Sequence, residues 1–244
     1  MRLTNNTILI TGGSSGIGLA LLKAFYESKN KVIIAARDNA KLEAVKKQFP
    51  DIDIFQCDLT KQSDIDSLVV FIERDYPSLN MLFNNAAIQY NYSFLTEPNI
   101  IKKIEYEISA NLTSVIKLCS LLLPTLLKND NAAVVNVSSG LALSPKKSAP
   151  VYCASKAAIH NFTKAFRYQM ETTNLKVFEI LPALIDTPMT EGRGKSKISP
   201  DLLVAEFLQD FKNNKPESYI GKTKLLKLLS RISPSLADKI LKNG

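Results

Sequence analysis

The stretch at residues 7–22, TILITGGSSGIGLALL, decides the fold of this chain. It opens at residues 7–10 with a β-branched and aliphatic run that predicts a buried strand. A glycine-rich turn follows, and the apolar residues after it are typical of a helix that packs on a sheet. A strand, a glycine turn and a helix together place free backbone N–H groups and the positive end of the helix against a phosphate. The chain therefore begins with a predicted nucleotide-binding unit.

The glycines of this turn have a specific spacing after Thr11. The pattern is Thr-Gly-x-x-x-Gly-x-Gly, with Gly12, Gly16 and Gly18. It differs from G-x-G-x-x-G, the general dinucleotide fingerprint, and resembles the cofactor turn of the short-chain dehydrogenases/reductases. A purely structural role is the alternative, because glycine-rich turns also occur for backbone reasons alone.

Length and composition predict one well-buried α/β domain of a cytoplasmic protein. The 244 residues are 45% hydrophobic and 22% charged, as in ordinary globular chains. The three cysteines, Cys57, Cys119 and Cys153, are far apart and lack metal-ligand spacing, which indicates reduced thiols. The single histidine, His160, excludes most histidine-based metal sites and triads, so we expect no metal. We expect His160 to lie at the surface or at a subunit interface.

Neither a signal peptide nor a membrane span is predicted. The N-terminal residues run directly into the first strand, and the longest apolar segment, residues 118–127, is too short to cross a bilayer. The net charge of +8 is uneven, because residues 222–244 hold six basic residues and one acidic residue. This pattern indicates a local basic tail and argues against a nucleic-acid-binding body.

The end of the second predicted strand, residues 31–36, decides the cofactor. An acid at this tip would bind a ribose 2′-hydroxyl, whereas a small residue followed by arginine suits a 2′-phosphate. Here Ala36 is followed by Arg37 and Asp38. Counting about 20 residues from the glycines selects Asp38 and predicts NAD, but Asp38 lies at the predicted N-cap of the next helix. We therefore favour NADP(H) over NAD(H), with Arg37 on the 2′-phosphate.

The ends of the next two strands supply further candidates. A third strand is predicted at residues 52–56 and a fourth beginning at residues 81–83. Asp58, after the third, either caps the helix entered at residues 60–63 or contacts adenine, as the family resemblance implies. Residues 84–87, Asn-Asn-Ala-Ala, resemble the family's Asn-Asn-Ala-Gly beside the cofactor.

An aromatic loop and a long helix follow. The loop at residues 89–95 either lines a substrate pocket or, as we favour, packs against the next helix. The helix is predicted at residues 97–127 and carries Asn111. An asparagine within a helix usually faces solvent, but in this register Asn111 matches the helix asparagine of the family's catalytic tetrad.

The strongest catalytic signal is Tyr-x-x-x-Lys at Tyr152 and Lys156. The motif lies in a helix predicted from about Pro150, so both side chains share one face, a turn apart. Ser139 precedes Tyr152 by thirteen residues, at the end of a fifth strand predicted at residues 132–138. The three residues together are much more specific than the pair alone.

Predicted strands and helices continue to alternate in the last third of the chain. We predict a sixth strand at residues 175–180, a mobile lid at 191–199, a helix at 201–211 and a short seventh strand at 219–221. Residues 182–189 resemble the Pro-Gly-x-x-x-Thr segment that closes over the nicotinamide, with Ala183 in place of glycine.

These motifs occur in the expected order over nearly the whole chain, which is identified as a member of the short-chain dehydrogenase/reductase family. The resemblance implies an α/β fold, a single-domain Rossmann-like doubly wound parallel sheet with helices on both faces, at residues 1–221. Residues 222–244 would be a basic amphipathic helical extension of the same domain. A weaker resemblance is to the members found with teichoic-acid D-alanylation genes.

The resemblance implies hydride transfer between NADP(H) and a carbonyl or secondary alcohol. Tyr152 would be the general acid/base, Ser139 would bind the substrate oxygen, Lys156 would hold the nicotinamide ribose, and Asn111 would position a water. The implied cofactor-binding residues are Gly12, Ser14, Ser15, Gly16, Ile17, Gly18, Arg37, Asp58, Leu59, Asn85, Ala86, Tyr152, Lys156, Pro182, Ile185 and Thr187.

The chemistry of these residues suits the reaction independently. Carbonyl reduction must supply a proton to the developing alkoxide, and a tyrosine can do so if its pKa falls from about 10. Lowering the tyrosine pKa by about 3 units requires roughly 4 kcal/mol, which Lys156 and a cationic nicotinamide could provide. The alternative is a nucleotide-binding regulatory or scaffold protein that catalyses no reaction.

Partners are predicted less sharply. Residues 97–127 and 152–172 are apolar enough to pair across a two-fold axis, so we expect a homodimer or homotetramer. For the basic tail we favour docking on the body or a second subunit over contact with a membrane surface. The substrate is an undetermined small molecule, because the aromatic loop suggests apolar bulk whereas Lys146 and Lys147 suggest an anion.

Overall fold

The computed structural model describes residues 1–194 and 196–243. Seven strands form one parallel sheet in the order β3-β2-β1-β4-β5-β6-β7. The strands are β1 (Thr7–Thr11), β2 (Lys31–Ala36), β3 (Asp53–Gln56), β4 (Leu79–Asn84), β5 (Ala133–Val137), β6 (Lys176–Pro182) and β7 (Glu217–Ile220). The strand order reverses between β1 and β4, which is the point where open α/β sheets bind ligands.

Helices cover both faces of the sheet. They are α1 (Gly16–Glu27), α2 (Asn39–Gln48), α3 (Gln62–Asp75), α4 (Ile100–Ile108), α5 (Ser114–Leu127), α6 (Pro150–Gln169), α7 (Pro200–Lys212), α8 (Thr223–Ile232) and α9 (Pro234–Leu241). The predicted single-domain Rossmann-like architecture is confirmed.

Two apolar layers hold the helices to the sheet. Ile8 and Ile10 of β1 belong to the layer that includes Phe25 of α1 and Phe207 of α7. Leu9, between them, faces the other layer, with residues of α3, α5 and α6. Successive strand residues point to opposite faces, so a strand covered on both sides must be apolar throughout. This explains why the strands appear in the sequence as continuous apolar runs.

The long predicted helix at residues 97–127 is divided. It begins at Ile100, and a π-helical turn, Ser109–Thr113, separates α4 from α5. Asn111 lies in this turn and bonds to the backbone of Ile88, a tertiary contact that helix periodicity does not reveal. By length and composition residues 100–127 could cross a membrane, but half of the apolar window is buried within the protein, as in a core helix.

The C-terminal region forms two helices rather than one. Pro234 occupies the first turn of α9, where its missing N–H costs nothing, and thus separates it from α8. In the predicted lid, Lys195 lies outside the described residues. Ile198 of that segment pairs with Ile185 in an isolated parallel bridge.

Candidate active site

The glycine turn is anchored to the end of β4. Thr11 Oγ1 donates to the carbonyl oxygen of Phe83 at 3.2 Å and accepts from the N–H groups of Asn85 at 3.0 Å and Ala86 at 3.1 Å. Asn85 Nδ2 returns a bond to the Thr11 carbonyl oxygen at 2.9 Å. These bonds fix the two strand ends on either side of the switch point.

Two glycines of the turn serve different purposes. Gly16 has a φ of +55°, in the left-handed region, and opens α1. Gly18 has no such angle, but a Cβ there would lie 2.2 Å from the Gly12 carbonyl oxygen. Gly18 thus keeps α1 close to the turn. It is not among the residues that line the cleft, and its predicted contact with the cofactor stays a prediction.

A cleft of about 310 Å³ runs along the carboxyl ends of the strands. Its walls include most of the predicted cofactor-binding residues: Gly12, Ser14, Ser15, Gly16, Ile17, Arg37, Asp58, Leu59, Asn85, Ala86, Tyr152, Lys156, Pro182 and Thr187. Ile185 is not among them, because its side chain is buried in the apolar layer beside α7. Its predicted place in the cofactor site stays a prediction.

The beginning of α1 suits a phosphate. Its N-cap, Ser15, makes no side-chain hydrogen bond to the first turn within the described part of the chain. The first N–H groups of this twelve-residue helix are therefore free of a side-chain cap and face the cleft at the positive end of the helix dipole. The cleft thus fits a dinucleotide, with the pyrophosphate at α1.

At the far end of the cleft, Arg37 is exposed beside the small residue Ala36. Arg37 Nη1 donates to the hydroxyl of Tyr106 at 2.7 Å. Asp38 caps α2, accepting from the Lys41 N–H at 3.1 Å. Its carboxylate therefore has the structural role expected from the sequence. Tyr106 and Lys41 also line the cleft, and the sequence analysis missed both.

Asp58 forms a turn ahead of α3. Its Oδ1 accepts from the Thr60 N–H at 3.0 Å and from Thr60 Oγ1 at 2.7 Å, which turns the chain toward α3. The residue also lines the cleft. The N-cap of α3 is Lys61, so Asp58 does not cap that helix, and its contact with an adenine ring stays a prediction.

Tyr152, Lys156 and Ser139 converge at the other end of the cleft. Tyr152 and Lys156 lie on α6, and Lys156 Nζ is 5.7 Å from the centroid of the Tyr152 ring. Lys156 Nζ donates to the Val137 carbonyl oxygen at the end of β5, at 2.8 Å. Ser139 follows that strand, and its hydroxyl lies beside the Tyr152 phenol. All three side chains are buried.

Burial sets the protonation states of this group. It raises the pKa of the Tyr152 phenol, and the neighbouring Ser139 hydroxyl opposes this only in part. It also lowers the pKa of Lys156 to about 8, although the Glu179 carboxylate favours the cation. At neutral pH the phenol retains the proton that a reduction needs.

Asn111 is fully buried behind the catalytic group. Its Oδ1 accepts from the Ile88 N–H at 2.8 Å, and its Nδ2 donates to the Ile88 carbonyl oxygen at 2.8 Å. Nδ2 also donates to Ser155 Oγ at 3.3 Å. Both amide hydrogens are thus engaged, and the side chain ties the loop after β4 to α6.

A buried carboxylate below the site was missed by the sequence analysis. Glu179 of β6 bonds to His160 Nδ1 at 2.9 Å and accepts a short hydrogen bond from Ser138 Oγ. The hydrogen bond with Glu179 raises the pKa of His160. His160 is therefore bound within its own chain, one turn beyond Lys156 on α6. The only sequence signal was an acidic residue inside an apolar strand.

The aromatic loop at residues 89–95 is partly packed on the protein and partly exposed. The Tyr90 N–H donates to Glu107 Oε1 of α4 at 3.2 Å, so the aromatic loop contacts the next helix as predicted. Tyr92 is buried, and its N–H donates to the Ser148 carbonyl oxygen at 3.1 Å. Phe94 and Leu95 are exposed. Among the described residues, no group of three or more His, Cys, Asp and Glu side chains could hold a metal ion.

The chain matches known proteins in sequence. Residues 6–197 match the family model described as short chain dehydrogenase. The chain is also 40% identical over 223 residues to a Bacillus subtilis (strain 168) protein named uncharacterized oxidoreductase DltE. That match covers 89% of this chain and 88% of the relative.

Solved structures share the fold. A short chain dehydrogenase from Burkholderia cenocepacia J2315 in complex with NADP has a TM-score of 0.87 at 23% identity, with both chains fully covered. A short chain dehydrogenase/reductase from Burkholderia phymatum in complex with NAD has a TM-score of 0.85 at 16% identity, covering 100% of this chain and 97% of the other. Proteins of this fold thus hold either nicotinamide cofactor.

Proposed function

This chain belongs to the short chain dehydrogenase family, and on that premise we propose that it is an NADP(H)-dependent oxidoreductase acting on a carbonyl compound or secondary alcohol. The observation that carries the proposal is the convergence of Ser139, Tyr152 and Lys156 at one end of a cleft whose other end holds Arg37. Nothing in this arrangement favours the alternative of a scaffold without catalysis, because each group that the chemistry needs is present.

In the reducing direction, the side chains of the site donate a proton and stabilise a negative charge. The hydride for the carbonyl carbon would come from the reduced nicotinamide. Tyr152 gives its phenolic proton to the carbonyl oxygen as negative charge develops there. The Ser139 hydroxyl donates a hydrogen bond to the same oxygen. The product is an alcohol, and the phenolate left behind takes a proton from solvent.

Lys156 stabilises that phenolate. Its ammonium lies close to the Tyr152 ring and is held in place by the Val137 carbonyl oxygen. A nearby cation favours an ionised phenol, more so in a buried site. Since both amide hydrogens of Asn111 are engaged by Ile88 and Ser155, Asn111 acts as a positioning residue through the loop after β4.

The preference for NADP(H) rests on the end of β2. The capping role of Asp38 gives that carboxylate a purpose other than binding a ribose hydroxyl. Arg37 and Lys41 line the same part of the cleft and supply two cations for a 2′-phosphate. Tyr106 holds the guanidinium of Arg37 in place through its hydroxyl.

The test is a titration of the purified protein with NADPH and NADH, followed by energy transfer from tyrosine, since the chain has no tryptophan. We expect NADPH to bind at least about tenfold more tightly than NADH. Arg37→Ala should weaken NADPH binding about 10- to 100-fold, because a charge-assisted hydrogen bond contributes roughly 1.5–3 kcal/mol. NADH binding should hardly change.

Arg74→Ala is the matched control, because Arg74 is exposed and pairs with Asp75 at the end of α3. It should leave both affinities unchanged. Equal binding of the two cofactors would overturn the NADP preference, and failure to bind either would overturn the cofactor site. A screen of carbonyl compounds with NADPH, with Tyr152→Phe as the inactive control, would then test the catalytic roles.

We further propose a cytoplasmic protein that assembles as a homodimer or homotetramer and acts on a small molecule. The location rests on three free, buried cysteines. The proposed assembly is supported by the exposed, largely apolar face of α5.

A further inference from the structure

The last two helices expose large apolar side chains in regular rows. The exposed fractions are 59% for Leu225, 54% for Leu228, 72% for Ile232, 45% for Leu236 and 54% for Ile240. Spacings of three and four residues place each row along one side of its helix. We name these five residues the apolar face. The helices dock on the body through other side chains, which are buried: Thr223, Leu226 and Ala237.

Basic side chains flank the apolar face. On α8, Lys224 precedes Leu228 by four residues and Arg231 follows it by three, so both lie beside the row. On α9, Lys239 follows Leu236 by three residues. All three basic side chains are exposed, as are Lys222 and Lys242.

Acidic groups hardly offset this charge. The one acidic residue of the region, Asp238, accepts a hydrogen bond from Ser144 Oγ at 2.6 Å. Of the flanking cations, Lys224 pairs with Glu206 at 2.7 Å. Within the described residues, Arg231 and Lys239 have no ion-pair partner within 4.0 Å. Each of the two helices therefore has an exposed apolar row with basic side chains beside it.

We propose that α8 and α9 bind the surface of an anionic membrane, with the apolar face lying at the boundary between headgroups and acyl chains. Leucine and isoleucine on one side of a helix with lysine and arginine beside them is the pattern of an interfacial helix. Cations near the surface are attracted by anionic lipid headgroups. A cytoplasmic protein would thus be held at the inner face of the membrane.

The charge pattern favours a membrane over a second copy of the chain. A two-fold pairing through this face would bring the basic edges of both copies together, and like charges at close range repel. Phospholipid headgroups of negative charge complement the same edges. The membrane therefore satisfies both the apolar and the charged parts of the surface.

The apolar face is linked to the catalytic cleft. The loop between Ser139 and Tyr152 is bonded to α9 twice, through Ser144 to Asp238 and through the Lys147 N–H to the Lys242 carbonyl oxygen at 3.1 Å. These bonds join α9 and its C-cap Lys242 to the segment between two of the predicted catalytic residues. Because α9 is bonded to this segment, NADPH binding is measured for every variant of the apolar face, as a check that the variant still folds.

The test is co-sedimentation of the full-length protein with vesicles. One set contains phosphatidylcholine alone, and the other contains phosphatidylcholine with phosphatidylglycerol, which is anionic. We expect binding to the anionic vesicles to be at least about tenfold tighter, and to weaken as salt is raised. The measurement needs neither substrate nor turnover, so it is independent of the proposed reaction.

Two variants separate the contributions of the face. Leu228→Asp with Ile232→Asp should abolish binding to anionic vesicles, and so should Arg231→Glu with Lys239→Glu. The matched control is Val70→Asp with Leu202→Asp, two apolar residues exposed elsewhere on the surface, which should bind like the wild type. If the first variant fails to bind NADPH, it has not folded correctly. The second variant, which changes only exposed charged side chains, then tests the proposal.

Three outcomes would overturn the proposal. The first is wild-type protein that stays in solution with anionic vesicles at low salt. The second is equal binding by the wild type and both face variants. The third is a wild-type oligomer that ignores vesicles and dissociates with Leu228→Asp and Ile232→Asp, which would assign the face to a second copy of the chain.

Discussion

At the scale of single residues, Glu179 connects two parts of the site. Its buried carboxylate bonds to His160 and to Ser138, the neighbour of Ser139. The same charge favours the cationic form of Lys156, whose pKa burial lowers. Glu179 therefore acts as a positioning residue for the end of β5 and supports the cation that stabilises the Tyr152 phenolate.

His160 reports on this pair directly, because it is the single histidine of the chain. Nuclear magnetic resonance should give its imidazole a pKa above 6.5, since the hydrogen bond with Glu179 raises it. In Glu179→Gln the pKa should fall below the wild-type value, because burial then acts with less opposition. Glu43→Gln, at an exposed position on α2, should leave the titration unchanged.

The sign of the stability effect follows from the raised pKa. The ion pair of His160 with Glu179 makes its full contribution to the unfolding free energy below pH about 6.5, where an unfolded histidine is already protonated. That contribution is lost as pH rises through the pKa of His160 in the folded state. The difference in unfolding free energy between wild type and His160→Gln should therefore shrink as pH rises. A difference independent of pH would contradict an ionised pair.

At the scale of elements, the π-helical turn between α4 and α5 determines the position of Asn111. The turn Ser109–Thr113 lies where the predicted long helix passes the catalytic group. Single π turns within helices often mark functional sites. Here the turn carries an asparagine whose side chain bonds to both polar backbone groups of Ile88.

Replacing Asn111 by leucine should destabilise the protein by about 2–4 kcal/mol. The change leaves the N–H and carbonyl groups of Ile88 without their partners. An unsatisfied buried group costs roughly 1–3 kcal/mol, and the loss for these two groups lies in the lower part of that range because Ile88 is half-buried and lines the cleft. Urea unfolding of the two proteins measures the difference. Asn161→Leu, at an exposed position on α6, should change stability by no more than about 0.5 kcal/mol. Equal losses in both variants would show that the bonds to Ile88 are unimportant.

At the scale of the whole molecule, α5 has an outer face with little charge. Ile116, Ser120, Leu121 and Pro124 of this face are exposed, although the opposite side of the helix packs on the sheet. A helix that is apolar on both sides needs a second partner to cover it. We therefore expect two copies to pair through this face, away from α8 and α9.

Sedimentation of the protein at micromolar concentration should give at least a dimeric mass. Ile116→Asp with Leu121→Asp should give a monomer, because each buried aspartate would lack a partner in the interface. Val70→Asp, on α3, should keep the wild-type mass. A monomeric wild type would contradict the expected assembly.

Local sequence patterns determined much of this protein. Continuous apolar runs require burial on both faces, which specifies a parallel sheet between helices. The glycine spacing after Thr11 specifies a tight turn, and four-residue spacing places Tyr152 and Lys156 on one helix face. These features depend on neighbours in the chain, so periodicity and turn chemistry suffice to predict them.

Only the tertiary structure decided the contacts between distant residues. Tyr106 reaches Arg37 across 69 positions, and Glu179 meets Ser138 across 41. The order of strands and the packing of helices create such contacts, and no local period encodes them. The same holds for the close packing of Gly18 against the Gly12 carbonyl oxygen and of Ile185 in the apolar layer beside α7. It also holds for the apolar face of the tail, because exposure depends on which side of a helix the body covers.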